Sequence, residues 1–173
     1  GIPWNRSNGV TSAISTPSTS SFPIFGLGSH FVLDGSLEIK GTKDIAMFGR
    51  LGSSYGSRAE TLSLFGTLLE IGKLAKSVPV EEILEMTIAE KLELQAQDII
   101  ALGKVANDLM PFVIETNRAV DILQALAMKK KYGLNLILAS VEEAPMVLTE
   151  LQESNTPVII DPMDNIPNSF DEL

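Results

Sequence analysis

The chain has 173 residues, 45% of them hydrophobic, which is enough for one globular core. Its formal net charge of −9 argues against nucleic-acid binding, and the lack of cysteine excludes disulfides, thiolate metal sites and a cysteine nucleophile. No run of 18 apolar residues predicts a membrane span, and residues 1–7 lack the regions of a signal peptide. The sequence therefore does not distinguish a cytoplasmic protein from an exported one.

The first third of the chain is predicted to be rich in β-structure. Residues 10–15 are mostly β-branched and predict a strand, followed by a Ser/Thr/Pro loop at 16–23. Asp-Gly-Ser at 34–36, between two apolar runs, predicts a hairpin, and residues 45–48 predict a third strand. A Gly/Ser-rich loop follows at 49–56.

The middle of the chain is predicted to be helical. Ser-Arg-Ala-Glu at 57–60 is a capping box, after which apolar residues recur at helical spacing to about Lys76. Pro79 favours the start of a second helix. Thr-Ile-Ala-Glu at 87–90 repeats the capping-box pattern and predicts a third helix that extends to Asn107.

The last third of the chain alternates strands and helices. Apolar runs predict three strands, at residues 111–114, 134–139 and 157–160. Residues 118–132 predict a helix that ends at Gly133, and Ser-Val-Glu-Glu at 140–143 predicts a capping box for the next helix. Such short helical links require right-handed parallel crossovers. Both a doubly wound sheet and a (β/α)₈ barrel fit this α/β pattern.

Four short motifs, in order along the chain, resemble the amidohydrolase superfamily, and specifically its imidazolonepropionase-like group. They are NRSNGVTSA at 5–13, GSRA at 56–59, NRAVDI at 117–122 and PVIIDPMDNIPNSFD at 157–171. The resemblance implies an α/β fold, a partial (β/α)₈ TIM-type barrel with parallel strands and a small β-hairpin insertion. Residues 1–173 would form an internal segment of one barrel domain, with a β-rich insertion at about 24–50. The abrupt first and last residues favour the same interpretation.

The resemblance also implies a function for the longer protein. It implies a divalent metal (Zn, Fe or Mn) at the carboxyl-end rim of the barrel and hydrolysis of a C–N bond in an amide or cyclic amide. Glu115 and Ser140 stand where metal-binding relatives carry histidines. Glu115 could bind a hard cation, whereas Ser140 is a poor replacement for imidazole. We therefore expect the segment to be inactive alone. The alternatives are a degenerate, non-catalytic member that binds a small molecule or a partner, and a stand-alone doubly wound domain.

Ligands of parallel α/β folds gather beyond the carboxyl ends of strands. The candidate rim residues are Glu115, Asn117, Arg118, Ser140 and Asp161. Arg118 could orient a substrate carboxylate or form a salt bridge with Glu115 or Asp121. Helix capping is the structural alternative for Asn117, Ser140 and Glu143.

Three other features are interpreted as structural. His30 is the only histidine, so the chain cannot contain a histidine cluster. The lysines at 129–131 offset a helix dipole, and Gly26 and Gly28 lack the spacing of a phosphate-binding loop. The partners expected are the small-molecule substrate of the longer protein and, because an incomplete barrel exposes strand edges, further copies of the segment or a homo-oligomer.

Overall fold

The computed structural model describes residues 2–18, 22–36, 38, 40–52 and 56–160. Within them the chain forms one six-stranded sheet and seven α-helices. The strands are β1 (Ser12–Ser15), β2 (Ile24–Val32), β3 (Gly41–Arg50), β4 (Phe112–Thr116), β5 (Leu136–Ser140) and β6 (Val158–Ile159). The helices are α1 (Ile2–Ser7), α2 (Arg58–Leu74), α3 (Val80–Leu84), α4 (Thr87–Lys91), α5 (Ala96–Ala106), α6 (Ala119–Tyr132) and α7 (Leu148–Ser154).

The strands lie in the sheet in the same order as in the chain. β1, β2 and β3 pair antiparallel, whereas β3, β4, β5 and β6 pair parallel and are joined by helical crossovers. The three predicted crossover strands are confirmed, and β3 adds a fourth. The register places Arg50 opposite Glu115 and Thr116 opposite Ser140, so the carboxyl ends of β3, β4 and β5 meet at one edge.

The predicted hairpin is present, but its strands differ from the prediction. β2 runs through Gly26 and Gly28, ahead of the predicted strand residues 31–33. The missing Cβ at Gly28 gives the neighbouring strand room, because a Cβ there would collide with the Phe48 ring. The return strand begins at Gly41, and two residues of its predicted start, Leu37 and Ile39, lie outside the described residues. Both strands belong to the main sheet, and their origin as an insertion stays a prediction.

The core lies between the sheet and helices α2, α5 and α6. Phe65 of α2 and Phe112 of β4 are fully buried and meet edge to face, with ring centroids 5.6 Å apart. Gly72 brings α2 close to α5, since a Cβ there would lie 2.7 Å from the carbonyl carbon of Leu102. This packing supports the strand ends from the helical side. No helix of the described residues could span a membrane.

The predicted helix between Thr87 and Asn107 is two helices. Glu93, at φ 53°, turns the chain between α4 and α5. The carboxylate that caps α5 is Asp98, which accepts the backbone N–H of Gln95 at 2.8 Å. The capping box predicted at 87–90 was therefore wrong, because Thr87 is already the first residue of α4 and its side chain caps nothing.

Two predicted helix ends are confirmed, and a second predicted capping box, at 140–143, is not. Ser57 and Glu60 exchange both hydrogen bonds of a capping box, and Gly133 ends α6 in the left-handed conformation at φ 66°. At 140–143 the prediction was wrong: Ser140 ends β5, and a 3₁₀ helix (Ala144–Val147) comes before α7. Glu143 instead accepts the N–H of Ala119 at 2.8 Å, so it caps α6 from the neighbouring segment.

Candidate functional site

A cleft of about 390 Å³ opens where β3, β4 and β5 end. Four of the five predicted rim residues line it: Glu115, Asn117, Arg118 and Ser140. The fifth, Asp161, lies outside the described residues. The volume is typical of a site for a small molecule. Parallel pairing thus brings together side chains that are far apart in the chain.

Glu115 is held by an arginine that sequence reasoning did not select. Arg50, the last residue of β3, donates from Nε to Oε2 of Glu115 at 2.9 Å and also contacts that oxygen through Nη2. The guanidinium lies over the ring of Phe25, 5.5 Å from its centroid. Both side chains of the ion pair are partly exposed, Arg50 by 40% and Glu115 by 37%. Its position shortly after the predicted strand at 45–48 was the signal that could have identified Arg50.

A second ion pair joins the first turns of α2 and α6. The Nε of Arg58 lies 3.0 Å from each carboxylate oxygen of Asp121. Asp121 is only 4% exposed, whereas Arg58 is 42% exposed. The Nη groups of Arg58 make no hydrogen bond to the described part of the chain. Sequence reasoning treated Arg58 only as part of a helix start, because its partner lies 63 residues away.

Arg118 is the third arginine of the cleft. It is exposed and forms no ion pair with any residue that the structure describes. The predicted bridge to Glu115 or Asp121 is not formed, because Arg50 and Arg58 pair with those carboxylates. Three of the four arginines in the chain therefore line one cleft with two carboxylates. The excess of one positive charge contrasts with the net charge of −9 for the chain.

One residue that lines the cleft, Thr116, has a buried hydroxyl for which the described residues provide no partner. Thr116 is the last residue of β4 and is 3% exposed. Its Oγ1 neither donates nor accepts a hydrogen bond within the described residues. An unsatisfied buried polar group costs about 1 to 3 kcal/mol. Such groups are rare in native proteins and call for a specific explanation.

Hydrogen bonds join the end of β4 to the segment that follows β5 at one side of the cleft. Ser140 and Val141 have φ values of 70° and 51°, which non-glycine residues, and β-branched ones above all, rarely adopt. The strained turn is fixed because the Val141 N–H donates to the Thr116 carbonyl at 2.9 Å. Asn117 does not act as a helix cap; its side chain donates to Glu142 at 2.9 Å. Conformations of this kind concentrate at functional sites.

The described residues of the cleft do not by themselves supply a full set of metal ligands. No group of three or more His, Cys, Asp or Glu side chains is placed to hold a metal anywhere in the described ranges. Glu115 is engaged by the Arg50 guanidinium, and Ser140 supplies only a hydroxyl. His30 lies in β2, opposite Ile14 and Thr42 in the sheet register, and is not among the residues that line the cleft.

Comparison with known proteins identifies the fold. No family model and no curated protein sequence matches the chain. Among solved structures it is similar to an amidohydrolase from Thermotoga maritima, with a TM-score of 0.72 and 21% identity. The similarity covers 95% of this chain but only 45% of that one. The predicted likeness to amidohydrolases is confirmed at the level of the fold, and it favours a partial barrel over a doubly wound sheet.

Proposed function

We propose that this chain is an internal segment of an amidohydrolase-like hydrolase of the imidazolonepropionase-like kind. The longer protein would cleave the C–N bond of an amide or cyclic amide, and this segment would supply part of the substrate-binding rim. The observation that carries the proposal is the convergence of Glu115, Asn117, Arg118 and Ser140 on one cleft. That cleft lies at the carboxyl ends of parallel strands, where barrel enzymes bind their substrates.

The role proposed for the segment is binding and orientation of the substrate. Its cleft offers guanidinium and hydroxyl groups, which bind and polarise oxygen atoms. Its two carboxylates, Glu115 and Asp121, are both engaged by arginines and are poorly placed to activate a water molecule as general bases. We therefore propose that the isolated segment does not catalyse hydrolysis.

The test compares the segment with the longer protein on a panel of amides and lactams, with and without added Zn²⁺. We expect turnover by the longer protein only. Hydrolysis by the purified segment would contradict the proposed division of roles. Failure of the longer protein on the whole panel would contradict the proposed hydrolase activity.

A second candidate is a non-catalytic member of the same fold that binds a small molecule. The ion pair between Arg50 and Glu115 favours it, since Glu115, which stands where metal-binding relatives carry a histidine, is engaged by a guanidinium. Metal analysis of the longer protein distinguishes the two candidates. Stoichiometric Zn, Fe or Mn would reject the non-catalytic alternative, whereas a metal-free, inactive protein that binds ligand would support it.

A further inference from the structure

We infer that a second cavity, on the helical side of the sheet, binds a small molecule that has an apolar body and one positive charge. The cavity has a volume of about 440 Å³ and lies between β2 and β3 on one side and helices α2 and α5 on the other. It shares no lining residue with the cleft at the strand ends. The inference therefore goes beyond the proposed function and does not depend on it.

The first support is the apolar lining of the cavity. Its inner surface includes Met47 and Leu102, which are each 3% exposed. Five further hydrophobic residues pack against the main core but are only partly buried, and all five line the cavity: Phe22, Ile24, Leu27, Leu92 and Leu94. A cavity of this size with mostly apolar walls is typical of a site for a small molecule. An apolar ligand body would remove these side chains from water, which is favourable.

The second support is the charge of the cavity. Glu93 and Asp98 both line it, and its described lining contains no lysine or arginine. The exposed Glu93 carboxylate makes no hydrogen bond within the described chain, whereas Asp98 uses its Oδ2 to accept the N–H of Gln95 at 2.8 Å. Two carboxylates at the edge of an apolar cavity select a cation, and the net charge of −9 for the chain attracts cations in general.

The third support is aromatic. The rings of Phe22 and Phe25 line the same cavity, and the face of an aromatic ring attracts an ammonium group. Arg50 also lies over the Phe25 ring, but Glu115 compensates its charge. A ligand cation therefore meets carboxylates and aromatic rings in one place, with no uncompensated positive charge among the described lining residues.

The turn that carries Glu93 is fixed before any ligand binds. Glu93 donates its N–H to the Glu90 carbonyl at 3.0 Å, and Leu94 donates its N–H to the Ala89 carbonyl, also at 3.0 Å. These hydrogen bonds join the end of α4 to the start of α5 and hold Glu93 and Leu94 at the cavity. A preformed site loses less conformational freedom on binding, which favours affinity.

The experiment is a titration of the chain followed by the NMR signals of its leucine and methionine methyl groups. The three probes share one apolar body: 4-phenylbutylamine is the cation, 4-phenylbutanol is neutral and 4-phenylbutyrate is the anion. We expect the amine to shift the methyl signals of Leu27, Met47 and Leu92 and to leave Leu109, which is 77% exposed and outside the cavity, unchanged. We also expect the amine to bind about tenfold more tightly than the alcohol, and the acid to bind most weakly. Absence of shifts in the cavity would overturn the site, and equal affinity for all three probes would overturn its selectivity for a cation.

A pair of matched variants tests the role of the carboxylate. Glu93→Gln removes one charge at the cavity, and Glu90→Gln removes the charge of an exposed residue of α4 that does not line it. We expect Glu93→Gln to weaken binding of 4-phenylbutylamine about fivefold, the upper size for an exposed ion pair, and to leave binding of 4-phenylbutanol unchanged. The unchanged alcohol shows that the cavity keeps its shape in the variant. Equal losses of amine affinity in the two variants, or an equal loss for amine and alcohol in Glu93→Gln, would overturn the inference.

Discussion

The two ion pairs of the cleft use the same chemistry but differ in burial. Asp121 is 4% exposed, whereas Glu115 is 37% exposed and can be hydrated when it loses its partner. Removing one member of a buried pair leaves a charge without compensation, which costs far more than breaking an exposed pair. Arg58, the partner of Asp121, should therefore contribute more to the free energy of unfolding than Arg50 does.

We expect Arg58→Met to lower the free energy of unfolding by about 2 to 3 kcal/mol, because it leaves the Asp121 carboxylate buried and unpaired. Arg50→Met should cost at most about 1 kcal/mol. Urea unfolding followed by circular dichroism measures both. The double variant Arg58→Met/Asp121→Asn should recover most of the loss, and equal losses in the two single variants would contradict the argument.

Thr116 supports a second prediction at the residue scale. Thr116→Val removes the unpartnered hydroxyl and keeps the shape of the side chain, so the free energy of unfolding should rise by about 1 kcal/mol. Thr116→Ser, which keeps the hydroxyl and loses a methyl group, should instead lower it by about 1 kcal/mol. Thermal or urea unfolding distinguishes the two. A loss of stability in Thr116→Val would show that the hydroxyl has a partner.

At the scale of secondary-structure elements, helix α2 begins in a capping box that depends on pH. The backbone N–H of Ser57 donates to Glu60 at 2.7 Å, and the Ser57 side chain adds a second hydrogen bond. The backbone N–H of Ser57 first, and then the Ser57 hydroxyl, lowers the pKa of the Glu60 carboxyl from its ordinary 4.5 by hydrogen bonding. A carboxyl with a lowered folded-state pKa stabilises the fold above its unfolded-state pKa, and this contribution is lost as pH falls through the folded-state pKa.

We therefore expect Glu60→Gln to reduce stability more at pH 7 than at pH 3, since pH 3 lies below the ordinary pKa of 4.5, where the stabilising contribution of the carboxylate begins to be lost. The measurement is urea unfolding at the two pH values. Glu82→Gln in α3 is the control, because that exposed side chain makes no hydrogen bond to the described chain. A difference between wild type and Glu60→Gln that does not change with pH would contradict the role of the capping box.

At the scale of the whole molecule, the sheet presents an exposed strand at its β6 end. β6 pairs with β5 alone among the described strands. Three apolar side chains there are exposed, at 41% for Val158, 53% for Ile159 and 60% for Ile160. Unpaired strand edges with apolar side chains promote pairing with other chains.

We expect the chain to self-associate through this edge, and Ile159→Lys to shift it towards the monomer because a charged side chain opposes strand pairing. Sedimentation velocity over a range of concentrations measures the association. Leu109→Lys is the matched control: Leu109 is 77% exposed but lies between α5 and β4, away from the edge. A wild-type chain that stays monomeric throughout, or an equal response of both variants, would rule this edge out.

The sequence by itself determined the features that depend on neighbours close in the chain. The capping box of Ser57 and Glu60 needs residues three positions apart, and Gly133 ends α6 through its own backbone freedom. The parallel crossover pattern also followed from local apolar runs, and it correctly indicated which strand ends would meet.

Only the tertiary structure decided the partners across the cleft. Arg50 meets Glu115 across 65 positions of the chain, and Glu143 caps the helix that begins at Ala119 rather than its own. Such pairings are set by strand register and helix packing, which bring side chains together regardless of their separation in the chain. A Ser-x-x-Glu sequence therefore forms a local helix cap at residues 57–60, whereas at 140–143 its glutamate makes a long-range contact.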